Sequence, residues 1–272
     1  MNILIVGAGN MGSIYTSSFL NNHLLTKEQL YILEHSAEKT KTLQEEGYVH
    51  AYHQPGEWMK MMDLIFLAIK PQDAEEFFTK TQPYLHTNHL LISIMAGISI
   101  EKIKSWVPTT KIIRAMPNLP AQIGLGMTGF TADASVDKKE LFIVQNLINT
   151  TGKSLYFEEE EKLNAVTAIS GSGPAYVFYF MQAMMDAAQG MGFNQSEAEL
   201  LVEQTFLGAI HLENRSQTSC GEWIRRVSSK GGTTEAAIRK FENLTLNTNI
   251  QEGLKQALER SIELGKGKKN EK

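Results

Sequence analysis

The sequence predicts an α/β fold built on a parallel sheet, followed by an all-α second domain, and three observations predict it. The first 157 residues alternate short apolar runs with polar segments of helical period, the pattern of parallel strands joined by crossover helices. A glycine cluster follows the first apolar run at once. Beyond the acidic run Glu158 to Glu161 the texture changes, and from Leu163 to Gly265 long windows of helical period leave almost no β-rich run. A chain of 272 residues with 42% hydrophobic content has the length and apolar material for two cores, and the change of texture divides it into residues 1–158 and 159–272.

In the first domain the predicted strands are Ile3 to Val6, Leu30 to Leu33, Val49 to Tyr52, Leu64 to Ile69, Leu90 to Ile94 and Lys111 to Ala115. Two later stretches, Gly126 to Phe130 and Lys153 to Phe157, flank a helical segment near Lys138 to Thr150 and extend the sheet at one edge. In the second domain the window Tyr176 to Gly190 is nearly continuous in apolar and small residues, so that helix is expected to be buried around most of its circumference. A subunit interface would bury it, and so would packing inside a helical lobe of about 110 residues. The tail Lys266 to Lys272 is expected to be disordered.

Composition excludes several partners. With 26 basic and 30 acidic residues the net charge is only -4, too weak a field for a polyanion-binding surface, so no nucleic acid is expected. Cys220 is the single cysteine and has no internal disulfide partner, which fits a reducing compartment and a cytoplasmic protein. The N-terminus carries no basic residue before its apolar run, unlike a signal peptide, and no apolar run approaches the roughly 18 residues a membrane span needs. No membrane association and no metal are expected.

The first candidate site is Gly7-Ala8-Gly9-Asn10-Met11-Gly12, a G-x-G-x-x-G loop that follows a strand and opens a helix. Gly7 allows the tight turn, Gly9 lets a pyrophosphate approach the backbone, and Gly12 lets the helix pack closely on the strand. The free N-H groups and positive dipole end of that helix favour phosphate. This context predicts a Rossmann-type dinucleotide-binding domain. Glu34, about 20 residues further on, stands where an acid accepts from both ribose hydroxyls and repels a 2′-phosphate, which favours NADH. His35 and Ser36, with Lys39 one turn on, would instead contact a 2′-phosphate, so NADPH or NADH remains open. At the carboxyl edge of the sheet, Ala68-Ile69-Lys70-Pro71 admits two readings: Lys70 touches the cofactor, or Pro71 simply stops the strand and Lys70 is solvated. Ser93 to Gly97, with Ala96, ends the fifth strand in small residues and leaves room for a nicotinamide-ribose group.

The second candidate site combines two segments rich in glycine and hydroxyls. Ser170-Gly171-Ser172-Gly173-Pro174-Ala175-Tyr176 reads as the end of one helix and the start of another, with Pro174 in the first turn. Ser228-Ser229-Lys230-Gly231-Gly232-Thr233-Thr234 precedes a helix and gathers N-H and hydroxyl donors in one spot, as a small carboxylate needs. The plainer reading is an N-cap, with Thr233 or Thr234 capping and Glu235 in the first turn.

Taken together, the glycine loop, Ala68-Ile69-Lys70-Pro71-Gln72, Arg114-Ala115-Met116-Pro117-Asn118-Leu119-Pro120, Ser170 to Tyr176 and Ser228 to Thr234 resemble the pyrroline-5-carboxylate reductase family over nearly the whole chain. The resemblance implies a Rossmann-type domain followed by an all-α dimerisation domain, and reduction of the cyclic imine 1-pyrroline-5-carboxylate to L-proline by NADPH or NADH. It implies that Ser229 and the backbone of Gly232 and Thr233 take the substrate carboxylate, while the Thr234 hydroxyl bonds the ring nitrogen as the catalytic contact. It further implies cofactor contacts at Ala8 to Gly12, Ala68 to Pro71 and Ala96, and homodimers that assemble further into rings, up to a decamer of dimers. Three departures from the family's usual residues stand out: Lys230 in place of proline, His53-Gln54-Pro55 in place of an asparagine contact, and Glu34-His35 in place of an Asn-Arg or Ser-Pro pair.

Neither loop offers a His or Asp acid catalyst, which suits hydride transfer to an already electrophilic protonated imine. Two alternatives are a related oxidoreductase of another cyclic imine or a 3-hydroxy acid, and a non-catalytic dinucleotide-binding regulator. The hydroxy-acid enzymes use a helical-domain lysine, and the helix from Ala175 has none before Gly192; a regulator would tolerate a degraded glycine-threonine loop, and this one is intact.

Overall fold

The structure, a computed structural model, describes residues Met1–Gly265. The tail expected to be disordered, Lys266 to Lys272, lies outside them. The chain runs β1 (Ile3–Val6), α1 (Asn10–Asn21), β2 (Leu30–Leu33), α2 (Ala37–Glu45), β3 (Ala51–Tyr52), β4 (Leu64–Leu67), α3 (Ala74–Thr81), β5 (Leu90–Ser93), α4 (Ile100–Lys104), β6 (Ile112–Met116), β7 (Gly126–Ala132), α5 (Lys138–Asn149) and β8 (Gly152–Tyr156). The strands form one sheet in the order β3-β2-β1-β4-β5-β6-β7-β8, parallel throughout except for the β6–β7 pair. The strand order reverses between the parallel strands β1 and β4, the kind of switch point where ligands bind outside the carboxyl ends of an open sheet.

β1, β2, β4 and β5 are buried at every position, as strands covered on both faces must be. One apolar layer holds Tyr15, Phe19, Phe66 and Phe130; the other holds Met59, Ile65, Phe78 and Ile103. The third strand is shorter than the sequence suggested. Gly47, at a φ of 86°, ends α2 in a turn that takes up Val49 and His50, and only Ala51 and Tyr52 pair with β2. The two late strands do extend one edge, β7 beside β6 and β8 outermost.

The remaining helices are α6 (Lys162–Val166), α7 (Gly173–Gly190), α8 (Gln195–Asn214), α9 (Cys220–Val227), α10 (Thr233–Asn243) and α11 (Leu246–Gly265). By compact packing, Met1–Ser172 and the residues from Ala257 to Gly265 form one unit, and Gly173–Gln256 form the other. The acidic run and the helix after it are tied to the sheet. Glu160 accepts from the Ile100 N-H at 2.9 Å and pairs with buried Arg114 of β6. Leu163 is buried, and Val166 fills the space left by Gly129 of β7. Ser261 of α11 donates to Asn164 of α6 at 3.0 Å.

As the sequence suggested, one helical segment ends and another begins within Ser170 to Tyr176, with the break at Ser172. Thr167–Gly171 forms a π-turn, closed by Ser172 N-H donating to Thr167 O at 2.9 Å, and Ser172 separates it from the first residue of α7. Pro174 has no N-H to give the Ser170 carbonyl. Asn118 Nδ2 donates to that carbonyl instead, at 3.1 Å, while its Oδ1 accepts from Met127 N at 2.8 Å.

In the second unit α7 packs against α8, yet no residue of α7 is buried, and Tyr179 is 75% and Phe178 60% exposed. Burial of α7 inside the helical lobe, one of the two readings of its sequence, does not occur.

His89 carries a stability consequence. It is buried under the sheet, and burial, with the neighbouring His86 charge, holds its pKa down to about 4. A histidine depressed below its usual value of 6.5 protonates first in the unfolded chain, so its contribution is complete above that value and is lost as pH falls toward 4. Denaturant melts between these limits are expected to lose up to about 3 kcal/mol on its account, and His89→Gln to flatten the slope.

Candidate cofactor and substrate sites

The glycine loop is held by contacts that explain each glycine. Gly7, at the end of β1, has a φ of 92° and donates to Leu33 O at 2.8 Å. A Cβ on Gly12 would stand 1.9 Å from the Gly7 carbonyl oxygen, so α1 reaches the strand only because residue 12 lacks one. A Cβ on Gly9 would meet no protein atom within 4 Å, so no protein neighbour explains that glycine and the space beside it is open to a ligand. Gly9 also caps α1 without a side-chain acceptor, and among the described residues nothing accepts from the Asn10 and Met11 amides. They are free for phosphate.

Glu34, at the end of β2, is 2% exposed. Its Oε2 accepts from Ala8 N at 2.8 Å and its Oε1 from Ser36 N at 3.0 Å, with His35 Nδ1 2.8 Å from the same Oε1. Ala68 donates to Val6 O at 2.8 Å, continuing the β1–β4 ladder by one bond, and Pro71 opens a short turn closed by Asp73 N on Lys70 O at 3.0 Å. The Lys70 side chain is exposed, and Ala96 stands half-buried after β5. The predicted cofactor residues Gly7 to Gly12, Glu34, His35, Ala68 to Pro71 and Ala96 thus follow the carboxyl ends of the neighbouring strands β2, β1, β4 and β5.

Two hollows flank the loop. A cleft of about 420 Å³ lies beside the end of β2, lined by Gly7, Leu33, His35, His53 and Ile69 among others. A groove of about 680 Å³ runs along α1 past Ala8, Gly9, Asn10 and Ser13. Sequence reading missed Phe77, Glu76 and Lys80, which also line the cleft; they sit on α3, outside any motif. His53 Nδ1 lies 3.3 Å from Glu34 O, so the departure from the family's asparagine places a ring at the cleft.

In the second unit Ser228 to Gly232 connects α9 to α10. The plainer N-cap reading does not hold for its hydroxyls, because Gly232 is the N-cap and no side chain caps the helix. Glu235 reaches back instead, its Oε2 accepting from Gly231 N at 2.7 Å. The Gly232 N-H is committed to Ser229 O at 2.9 Å and is not free for a substrate. Among the described residues nothing accepts from the Thr233 and Thr234 amides, and both hydroxyls stand in the same turn. Gly232 contributes space: a Cβ there would stand 2.5 Å from Ser229 Oγ. Lys230 is exposed beside it. Among the described residues no group of three or more His, Cys, Asp or Glu gathers to hold a metal.

The family model described as pyrroline-5-carboxylate reductase dimerisation matches residues 160–264, and the model for coenzyme F420-dependent NADP oxidoreductases matches residues 2–97. The pyrroline-5-carboxylate reductase of Pseudomonas aeruginosa is 33% identical over 263 residues, covering 96% of both chains. The chain belongs to the pyrroline-5-carboxylate reductase family. A Bacillus subtilis reductase of the family is 34% identical over 95% of this chain and 93% of its own. The crystal structure of the Plasmodium falciparum enzyme with NADP bound matches with a TM-score of 0.87 at 26% identity, covering 97% of this chain and 98% of that one. An N-terminal nicotinamide-dinucleotide domain and a dimerising helical domain are therefore this chain's architecture, and it is a homo-oligomer.

The two glycines make opposite predictions. Gly12→Ala forces α1 off β1 and is expected to lower stability by more than about 2 kcal/mol along with dinucleotide affinity. Gly9→Ala meets no protein atom, so its thermal melt stays native while dinucleotide affinity, read by nicotinamide fluorescence, drops.

Proposed function

We propose that the protein reduces 1-pyrroline-5-carboxylate to L-proline with NAD(P)H. The observation that carries the reading is the α10 N-terminus, whose Thr233 and Thr234 amides and hydroxyls stay uncommitted because Gly232 and Glu235 close the turn without them. A carboxylate there gains the helix's positive end and charge-assisted hydrogen bonds. A nicotinamide dinucleotide, when bound, would supply the hydride that reduces the C=N bond. Ser229 and the Thr233 amide take the substrate carboxylate, and the Thr234 hydroxyl bonds the ring nitrogen and orients the imine. The glycine loop, Glu34, His35, Ala68 to Pro71 and Ala96 hold the dinucleotide. No acidic side chain is needed, since the imine arrives protonated and the product amine exchanges its proton with solvent.

The exposed apolar faces of α7 and α8, with Phe178, Tyr179, Leu200 and Leu207 on them, are the surface we assign to the homodimer. Rings, up to a decamer of dimers, are the larger assembly. The cytoplasm is the proposed compartment, in keeping with the single, free Cys220; among the described residues no helix is long and apolar enough to cross a membrane.

Steady-state reduction of pyrroline-5-carboxylate, run in parallel with NADH and NADPH, tests the activity, and no turnover with either would refute it. Thr234→Ala is expected to lower kcat/KM by about 10- to 100-fold; full turnover and affinity would remove its role. Light scattering should give at least a dimer for the wild type, and Phe178→Glu/Tyr179→Glu should shift the mass to the monomer.

A further inference from the structure

We infer that this chain prefers NADH to NADPH and that buried Glu34 sets the preference; the inference rests on reading the glycine loop as a dinucleotide site. A 2′-phosphate needs donors or cations at the end of β2, and there the Ser36 amide and one His35 nitrogen already face Glu34. Ser36 N-H donates to Glu34 Oε1 at 3.0 Å, and Ser36 Oγ accepts from Lys39 N at 3.3 Å to cap α2. His35 Nδ1 lies 2.8 Å from the same Glu34 oxygen. The Lys39 side chain lines the groove along α1 beside Ala8 to Asn10, not the cleft beside the end of β2. In that cleft Lys80 stands 2.5 Å from Glu76, and Asp73 adds a second carboxylate.

Glu34 itself discriminates by chemistry as well as charge. Its buried Oε2 accepts from Ala8 N, and a ribose hydroxyl that reaches this carboxylate can donate its proton to it. A phosphate dianion has no proton to offer, so it meets an acceptor with an acceptor and an anion with an anion. Nor does the carboxylate swing aside freely, because moving it strands the amides of Ala8 and Ser36. The clamp that shapes the glycine loop is thus also the filter.

The test reads binding rather than turnover. The unliganded enzyme is titrated with NADH and NADPH by nicotinamide fluorescence, and with 5′-AMP and 2′,5′-ADP by calorimetry. NADH is expected to bind at least about tenfold tighter than NADPH, and 5′-AMP tighter than 2′,5′-ADP. Raising salt from about 0.05 to about 0.5 M should narrow the NADPH penalty, since screening weakens repulsion, whereas a phosphate held by cations would give the opposite slope. Glu34→Gln is expected to contract the NADPH/NADH ratio of Kd values at least about fivefold; a folded variant with an unchanged ratio would overturn the assignment to Glu34. Wild-type NADPH binding as tight as NADH, or a ratio that widens with salt, would overturn the preference without needing any variant. Binding of neither dinucleotide would overturn the reading of the loop, and the preference with it.

Discussion

Helix α1 meets the end of β1 at a distance that only glycine permits, and the geometry of the sheet's carboxyl edge follows from that contact. With Gly12 against the Gly7 carbonyl, the first amides of α1 open beside the switch point between β1 and β4, and the chain before them is bent tightly enough for Ala8 to reach Glu34. β2 enters through that carboxylate, and β4 through Ala68, whose carbonyl limits the space at Gly7 as its amide extends the ladder to Val6. Close packing of this kind has no slack: displacing one member moves a backbone carbonyl, not a flexible side chain.

The turn before α10 uses the same principle with different residues. At both helix N-termini a glycine takes the cap position, so no side chain occupies the leading amides. At α1 the consequence is an opening suited to a diphosphate; at α10 it is a smaller set of donors flanked by hydroxyls. The helices differ in what holds their turns, Glu34 from a neighbouring strand in one and Glu235 from within the helix in the other.

Much of this was legible in the sequence because glycine and period carry geometry directly. The parallel strands, the order of loop and helix, and the positions of Gly7, Gly9 and Gly12 come from patterns with one physical solution. The packing of the helix after the acidic run was not legible, because Val166 reads as ordinary helix while it fills a gap at Gly129, more than 30 residues away. The π-turn was invisible for a similar reason: the Ser170 carbonyl that Pro174 cannot serve is met by Asn118, a distant side chain. At the cofactor, the composition of Glu34-His35-Ser36 left two readings open, since composition does not say which donors are already spent.

The apolar skin of α7 has one further consequence. With Phe178 and Tyr179 at the dimer seam proposed above, the protomer's stability is coupled to association and governed by mass action. For such a chain a melting temperature is a property of a concentration, and dilution is a denaturant. During synthesis the first copies to emerge must wait for a mate, and the waiting time, rather than any feature of the sheet, sets their exposure to proteases and to one another.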